Sequence, residues 1–355
     1  MAGSDRVVIG GVDTHGDTHQ AAALDSAGRL LGQAEFPATA AGYRELLTWM
    51  HGLGEVSSVG IEGTGSYGAG LCRHLLAAGV SVIEVDRPDR RARRTRGKSD
   101  PIDAECAARA VLSGTASSAP KDRRGPVESI RMLRVARSGA VKARTAAVNA
   151  LRTTLVTAPD RLRSILGTLA PARLIDVCSS LRPDRASLDN PEQGAKLALR
   201  TIARRIEMFD LEIQDLDSAL ARLVRDAAPA TLALPGIGVD HAGQMLTTAG
   251  QNPERLRSEA SFARLCGAAP VPASSGRTTR HRLSRGGDRQ ANRALHMAVV
   301  VRMRRCPRTR AYVEKRTAEG LSKPEIMRCL KRYLAREVYH ALCSDLRELE
   351  GLDGV

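Results

Sequence analysis

The first third of the chain alternates short apolar runs with polar turns and amphipathic stretches. Turn residues such as Asp25-Ser26-Ala27-Gly28 separate the first three apolar runs, which predicts antiparallel strands joined by hairpins. The pattern predicts strands at about 7–14, 19–24, 30–37, 57–62 and 81–85, and helices at about 40–53, 68–78 and 101–113. Three antiparallel strands followed by alternating helices and strands are typical of a ribonuclease-H-like α/β fold.

The middle of the chain is dominated by a seven-residue repeat of apolar positions. From Leu199 to Leu223 apolar residues recur at alternating spacings of three and four, which is the a/d seam of a coiled coil. A shorter repeat lies within 126–157, and 158–190 is expected to form short helices and loops. The two long helices can pair with each other as an intramolecular hairpin, or with a second subunit.

Beyond residue 230 the pattern is again mainly helical. Helices are predicted at about 240–249, 253–267, 289–304 and 323–349, with a loop containing Gly and Ser at 268–288. The fold prediction is an α/β N-terminal ribonuclease-H/RuvC-like domain at 1–116, a long-helix coiled-coil region at 117–228 and a mainly α C-terminal domain at 229–355.

The charge of the chain indicates a polyanionic partner. Lys and Arg number 54 against 39 Asp and Glu, which gives a net charge of +15 and a pI near 10.1. No apolar stretch approaches the roughly 18–20 residues that span a bilayer, and the N-terminus lacks the features of a signal peptide. The seven cysteines form no CxxC pair, which favours reduced thiols. We expect a location in the bacterial cytoplasm, associated with the nucleoid, and no membrane partner.

Four carboxylates are placed where they can converge. Asp13 and Glu62 each end an apolar run, and Asp100 and Asp103 lie three apart at the start of an Ala-rich helix, which puts them on one helix face. Phosphodiester cleavage by two metal ions needs carboxylate oxygens grouped in this way. The sequence therefore predicts a site for Mg²⁺ or Mn²⁺ formed by these four acids.

Each acid also has an ordinary structural explanation. Asp100 precedes a proline and can be a helix N-cap, and Asp103 would then be a first-turn acid favoured by the helix dipole. His15 and His19 lack ligand spacing to another histidine, so we expect supporting or structural roles for them. Four further acids are treated as peripheral to the site: Asp17, Glu84, Asp86 and Glu105.

Clusters of basic residues suit phosphate contacts, because the guanidinium fork matches phosphate geometry. The alternative is an ordinary solvated run of charge. The first cluster directly precedes the Asp pair and comprises Arg87, Arg90, Arg91, Arg93, Arg94, Arg96 and Lys98. A second cluster, within 277–289, includes Arg277, Arg280 and Arg285, and a third covers 302–310.

Short motifs along the chain together resemble one known family. They are Gly11-Val12-Asp13-Thr14-His15, Ile61-Glu62-Gly63-Thr64-Gly65, Lys98-Ser99-Asp100-Pro101-Ile102-Asp103-Ala104, Arg144-Thr145 with Asn149 and Leu151, Leu234-Pro235-Gly236-Ile237-Gly238, Gly267-Ala268-Ala269-Pro270, Ser275-Gly276 and Ser284-Arg285-Gly286-Gly287-Asp288. This combination resembles the DEDD transposases of bacterial insertion sequences, also called bridge-RNA-guided recombinases. Such proteins join a RuvC-like domain to a serine-bearing transposase domain.

The resemblance implies roles for particular residues. It assigns the four metal-binding acids to Asp13, Glu62, Asp100 and Asp103. It also implies a serine nucleophile that precedes a glycine, which here is Ser275, although the adjacent Ser274 is an alternative. The matching positions Arg144 and Asn149 are expected to contact nucleic acid, as are Arg277, Arg280 and Arg285 around the serine loop.

The function implied is DNA recombination that mobilises an insertion sequence. The resemblance implies donor and target DNA, a structured guide RNA and a homodimer or homotetramer in which the metal site and the serine can come from different subunits. One alternative is a RuvC-like nuclease, such as a junction resolvase, that uses water in place of the serine. Another is a non-catalytic nucleic-acid-binding coiled-coil protein.

Overall fold

The computed structural model describes residues 6–85, 99–274, 280–282, 284 and 286–351. These residues fold into two compact units. The first comprises Met1–Arg124 and Ala249–Ser258, and the second comprises Gly125–Thr248 and Glu259–Val355. The division into three domains at residues 116 and 228 stays a prediction.

The first unit is built on a five-stranded mixed sheet, which confirms the α/β class predicted for this part of the chain. The strand order is β3-β2-β1-β4-β5. β1 to β3 are antiparallel, whereas β1 and β4, and β4 and β5, are parallel. The strands are β1 (Val7–Thr14), β2 (Thr18–Asp25), β3 (Leu30–Pro37), β4 (Glu55–Glu62) and β5 (Ser81–Val85).

Helices cover both faces of this sheet. α1 (Ala40–Leu53) and α2 (Ala69–Ala77) pack on one face, where Val12, Leu46 and Met50 belong to the same buried cluster. α3 (Asp100–Leu112) packs on the other face, against β1, β2 and β4. This arrangement buries β1 almost completely, because both of its faces are covered.

A short segment from far along the chain completes the first unit. The side chain of Asn252 accepts a hydrogen bond from the Asp122 amide (2.9 Å) and donates one to the Pro120 carbonyl (3.2 Å). Arg255 donates to the carbonyl of Ala119 (3.1 Å). These contacts hold Pro253–Arg255 as a 3₁₀ turn. The helix predicted at 253–267 is therefore confirmed only for Glu259–Leu265, where the α-helix lies.

The second unit contains the two long helices, which pack against each other within the chain. α4 (Gly125–Val156) and α7 (Pro191–Ala227) enclose a core with the short helices α5 (Asp160–Leu166) and α6 (Pro171–Ser179). Leu199 and Ile206 of the predicted seam are fully buried there. Of the two pairings that the sequence allowed, the structure therefore has the intramolecular hairpin.

The remainder of the second unit is mainly helical and carries one small hairpin. It contains α8 (Pro229–Leu232), α9 (Val239–Ala249), α10 (Glu259–Leu265), α11 (Arg289–Arg305), α12 (Pro307–Ala318) and α13 (Lys323–Leu349), with β6 (Val271–Pro272) antiparallel to β7 (His281–Arg282). Helix α12 was not predicted, because its sequence is strongly polar and only Thr309 is buried. Over the described residues, no helix has the length and apolarity needed to cross a membrane.

Candidate metal centre

Two glycines allow α3 to lie unusually close to the sheet. A Cβ on Gly11 of β1 would fall 2.2 Å from the carbonyl oxygen of Ala104 and 2.2 Å from the amide nitrogen of Ala108. A Cβ on Gly60 of β4 would fall 2.9 Å from the Ala107 carbonyl oxygen. Ala104, Ala107 and Ala108 face these glycines, so the helix backbone approaches the strand backbone closely, and the side chain of Val111 also lies 2.7 Å from the Cβ position of Gly60.

The same face of the sheet carries two of the predicted acids. Side chains alternate along a strand, so Asp13 shares the face of Gly11, and Glu62 shares the face of Gly60. The parallel register pairs Val12 with Ile61, which places the two acids side by side at the carboxyl ends of β1 and β4. Both acids therefore lie on the face that α3 covers.

The first turn of α3 supplies the other two acids. Ser99 is the N-cap residue, so Asp100 does not have the N-cap role that was its alternative structural explanation. The amide of Asp103 donates to the Ser99 carbonyl at 3.0 Å, which closes the first turn. Asp103 is buried, with 2% of its surface exposed, whereas the side chain of Asp100 is about half exposed.

The imidazole of His15 lies between two of these carboxylates. Its Nε2 is 3.3 Å from Oδ2 of Asp13 and 3.4 Å from Oδ2 of Asp100. Within the described residues, these three side chains form a group whose potential ligand atoms all lie within 4.8 Å of one another. Glu62 and Asp103 are not members of that tight group.

The electrostatics of the cluster favour a cation. Burial raises the pKa of Asp13, and the neighbouring carboxylates of Asp103 and Asp100 raise it further, while His15 opposes this shift. Carboxylates that repel one another are stabilised by a divalent ion, and carboxylate oxygens are the ligands that suit Mg²⁺ or Mn²⁺. The side chains present therefore fit the predicted metal.

The loop after β4 fixes the backbone beside the cluster. The hydroxyl of Thr14 donates to the carbonyl of Glu62 at 2.8 Å, which ties the ends of β1 and β4 together. The next residue, Gly63, has φ +75°, a conformation that favours glycine. Its carbonyl then accepts from the amides of Ser66 (2.8 Å) and Gly68 (3.1 Å).

Two of the acids treated as peripheral have structural partners. Glu84 accepts a hydrogen bond from the Thr64 hydroxyl at 2.8 Å and pairs with Arg255 at 3.3 Å. Glu105 pairs with Arg109 one helical turn along α3. Asp86 lies outside the described residues.

His19 is also structural. It is fully buried, its Nδ1 lies 3.1 Å from the Thr18 carbonyl, and its ring stacks on Tyr43. His15, in contrast, lies beside two of the acids, which agrees with the supporting role expected for it. It follows β1 directly and is two residues from Asp13, which is the sequence signal for its position.

Three of the residues predicted to contact nucleic acid lie in the described part of the chain. Arg144 on α4 forms an ion pair with Asp210 on α7. Asn149, also on α4, is exposed. Arg280 is exposed directly before β7. The other predicted contacts and the predicted nucleophile lie outside the described residues: Arg87, Arg90, Arg91, Arg93, Arg94, Arg96, Lys98, Ser275, Arg277 and Arg285.

Comparison with known families identifies the family of this chain. Residues 10–158 match a transposase family of the DEDD IS110 type, and residues 230–314 match the transposase IS116/IS110/IS902 family. The chain belongs to the IS110 family of DEDD transposases. The first match contains all four predicted acids, and the second contains both candidate serines.

Two curated relatives come from insertion elements. The chain is 27% identical over 188 residues to the insertion element IS900 uncharacterized 42 kDa protein of Mycobacterium paratuberculosis, a match covering 49% of this chain and 47% of the relative. It is 32% identical over 107 residues to the insertion element IS110 uncharacterized 43.6 kDa protein of Streptomyces coelicolor, covering 30% of this chain and 26% of the relative. The matches thus span about half of the first relative and about a quarter of the second.

Proposed function

We propose that this IS110-family protein is an insertion-sequence transposase that cleaves and rejoins DNA, using a RuvC-like carboxylate centre and a serine nucleophile. The observation that carries the proposal is the close packing of α3 on Gly11 and Gly60. It delivers Asp100 and Asp103 to the strand end that carries Asp13. The strand order and the mixed strand directions support the RuvC-like interpretation of this unit.

The metal ligands in this proposal are the carboxylates of Asp13 and Asp100, with Asp103 and Glu62 completing the set. When bound, Mg²⁺ or Mn²⁺ neutralises charge at an attacked phosphate. His15 lies between two of the ligands and so orients them, because its ring contacts both carboxylates. The buried position of Asp103 holds its carboxylate in a fixed place under α3.

Ser275 is the proposed nucleophile, and the bonding of Ser274 supports this choice. The hydroxyl of Ser274 lies 3.3 Å from the Arg280 amide, from which it accepts, and 3.4 Å from the Arg280 carbonyl, to which it donates. That hydroxyl is therefore already engaged at the base of the β6–β7 hairpin. Ser275 belongs to the segment that joins the two strands.

The proposed reaction conserves phosphodiester bonds. The Oγ of Ser275 attacks phosphorus, the bond from phosphorus to a deoxyribose oxygen breaks, and the serine proton passes through water to that leaving oxygen. A hydroxyl of another DNA strand then attacks the phosphoserine, and the serine oxygen regains its proton. No oxidant or nucleotide cofactor is needed, because each new ester bond replaces an old one.

The proposed partners are donor DNA, target DNA and a structured guide RNA, and the proposed assembly is a homodimer or homotetramer. The net charge of +15 supports a polyanionic partner in general. The choice of a guide RNA rests on family membership. Sequencing of RNA that co-purifies with the protein tests it, and recovery of only random cellular RNA would contradict it.

The decisive experiment compares three variants for covalent capture of DNA carrying the ends of the element. We expect Ser275→Ala to abolish a denaturation-resistant protein–DNA adduct, and Ser274→Ala to retain it. Asp103→Asn should lower cleavage by about 100-fold or more, because it removes a metal ligand at the proposed centre. Full recombination by Ser275→Ala would disprove the serine mechanism, and hydrolysis without an adduct would indicate a nuclease that uses water.

A further inference from the structure

A second candidate site lies in the C-terminal part of the second unit. A cavity of about 570 Å³ is bounded by the segment Gly267–Pro270, by the strand β7 and by the first turns of α13. This volume falls within the range of ligand-binding pockets. The cationic side chains that line it are Arg280, Arg282, Arg316, Arg328, Lys331 and Arg332.

Lys331 is the informative member of this set, because it is buried, with 6% of its surface exposed. Its Nζ donates to the side-chain oxygen of Asn292 at 3.0 Å. The amide nitrogen of Asn292 in turn donates to the carbonyls of Cys266 (3.0 Å) and Gly267 (2.8 Å). These two bonds orient Asn292 so that its oxygen faces the ammonium, which holds Lys331 in place.

Lys331 has no ion-pair partner among the carboxylates of the described residues. Arg302, another buried cation of the same unit, has its charge compensated by a carboxylate. Arg302 lies 2.5 Å from the carboxylate of Glu337 and donates to the carbonyl of Pro235 at 2.6 Å. An uncompensated buried ammonium is costly. Since no carboxylate of the described residues pairs with Lys331, a bound anion would stabilise its charge.

Among the described residues, Glu325 is the carboxylate that lines the cavity, and it already has hydrogen-bond partners. Glu325 accepts hydrogen bonds from the amide (3.0 Å) and the hydroxyl (2.5 Å) of Ser322, which cap the start of α13. Arg328 lies near enough to Lys331 to lower its pKa further, in addition to the larger lowering that burial causes. A bound anion would oppose both effects, since it favours the charged ammonium.

We propose that this cavity binds a backbone phosphate of DNA, with Lys331 as its buried cationic partner and Arg328 as a second. The choice of DNA rests on the proposed function, because β7, which forms one wall, is connected directly to the segment containing Ser275. The cavity would hold a phosphate of the strand on which the serine acts. It is a binding site, and no bond is made or broken there.

The test measures binding of a duplex DNA oligonucleotide to the full chain, as a function of salt, for Lys331→Met. We expect weaker binding and a salt slope of log K reduced in size by about 0.9, the value for one lost phosphate contact. Arg347→Gln is the matched control, because it removes an exposed charge from the same helix away from the cavity. This variant should retain the slope of the unmodified protein.

Stability in the absence of DNA separates ligand binding from a structural role. Lys331→Met removes an uncompensated buried charge, so its Tm without DNA should be equal to or higher than that of the unmodified protein. A lower Tm, or an unchanged salt slope, would overturn the proposal. A loss confined to an RNA duplex of the same sequence would also overturn it, since the cavity would then serve RNA.

The outcomes distinguish this proposal from the serine mechanism. If Ser275→Ala abolishes the adduct while Lys331→Met binds DNA normally, the cavity proposal alone fails. If Lys331→Met loses the phosphate contact while Ser275→Ala still recombines DNA, the serine mechanism fails and phosphate binding in the cavity stands.

Discussion

At the scale of single residues, two buried aspartates at strand ends have opposite electrostatic environments. Asp13 has neighbouring carboxylates, and its pKa is raised. Asp25 at the end of β2 accepts hydrogen bonds from the amides of Ala27 (3.0 Å) and Arg29 (2.9 Å) and from the guanidinium of Arg29 (2.8 Å). These donors lower its pKa, the Arg29 amide most of all. Asp25 is therefore a structural residue, whereas Asp13 is suited to bind a cation.

The lowered pKa of Asp25 predicts a pH-dependent contribution to stability. Because its pKa is lower in the folded than in the unfolded protein, the stabilisation is complete above the ordinary value of about 4 and is lost as pH falls through the folded value. Asp25→Asn should thus lower the free energy of unfolding at pH 7. The difference from the unmodified protein should shrink towards about pH 3 in urea titrations. A difference that does not change with pH would contradict this account.

At the scale of the elements, the approach of α3 to the sheet positions the site. The helix is rich in alanine, and its buried face consists of Asp103, Ala104, Ala107 and Ala108. An alanine-rich helix has little hydrophobic periodicity, so its sequence does not predict which elements it packs against. Its location is instead set by the absence of side chains on Gly11 and Gly60, which lie on different strands.

Gly11→Ala should therefore displace α3 and weaken the metal centre. A methyl group 2.2 Å from backbone atoms forces the helix away, at a cost of about 1–3 kcal/mol or more. We expect a lower Tm and weaker Mg²⁺ or Mn²⁺ binding by calorimetry. Gly52→Ala is the control, since its new methyl group meets nothing within 4 Å and helical alanine is favoured by about 0.5–1 kcal/mol. Equal effects of the two changes would refute the close-packing argument.

The helical hairpin gives a second prediction at this scale. Ile206 is fully buried between α4 and α7, whereas Leu211 on the same helix is 68% exposed. Ile206→Ala should lower the free energy of unfolding by about 2–5 kcal/mol, and Leu211→Ala by less than about 0.5 kcal/mol. Chemical denaturation of both variants measures this difference. If pairing with a second subunit buried Leu211, its substitution would cost as much as that of Ile206.

At the scale of the whole molecule, the first unit is assembled from distant parts of the chain. Arg255 is about 170 residues from Glu84, yet the two side chains form an ion pair and are mostly buried. The same arginine donates to the Ala119 and Ala249 carbonyls at 3.1 and 3.0 Å. The first unit is thus stabilised by a segment that follows the long helical hairpin in sequence.

Arg255→Met should loosen the first unit even though the substitution lies far away in sequence. It removes hydrogen bonds to partly buried groups and leaves Glu84 without its cation, at a cost of about 1–3 kcal/mol. Hydrogen exchange should become faster in β5 and in residues 117–122. Arg264→Met, an exposed change in the second unit, should leave exchange in β5 unaltered. Unchanged protection of β5 in Arg255→Met would show that the segment is not needed.

Local pattern was enough to predict the positions of the five strands of the large sheet along the chain, the mixed α/β class and the long helices, because each depends on periodicities of two to seven residues. The same pattern placed Asp13 and Glu62 at strand ends and Asp100 with Asp103 on one helical turn. It missed α12, whose residues are too polar to show a buried face, and it did not reveal that 249–258 completes the first unit.

Contacts between distant residues decided the rest. The position of His15 between two carboxylates depends on how close α3 comes to the sheet, and that distance is set by two glycines on separate strands. The burial of Lys331 without a carboxylate depends on which groups the other elements bring to it. Periodicity records which residues face inward, whereas charge compensation depends on what they meet there.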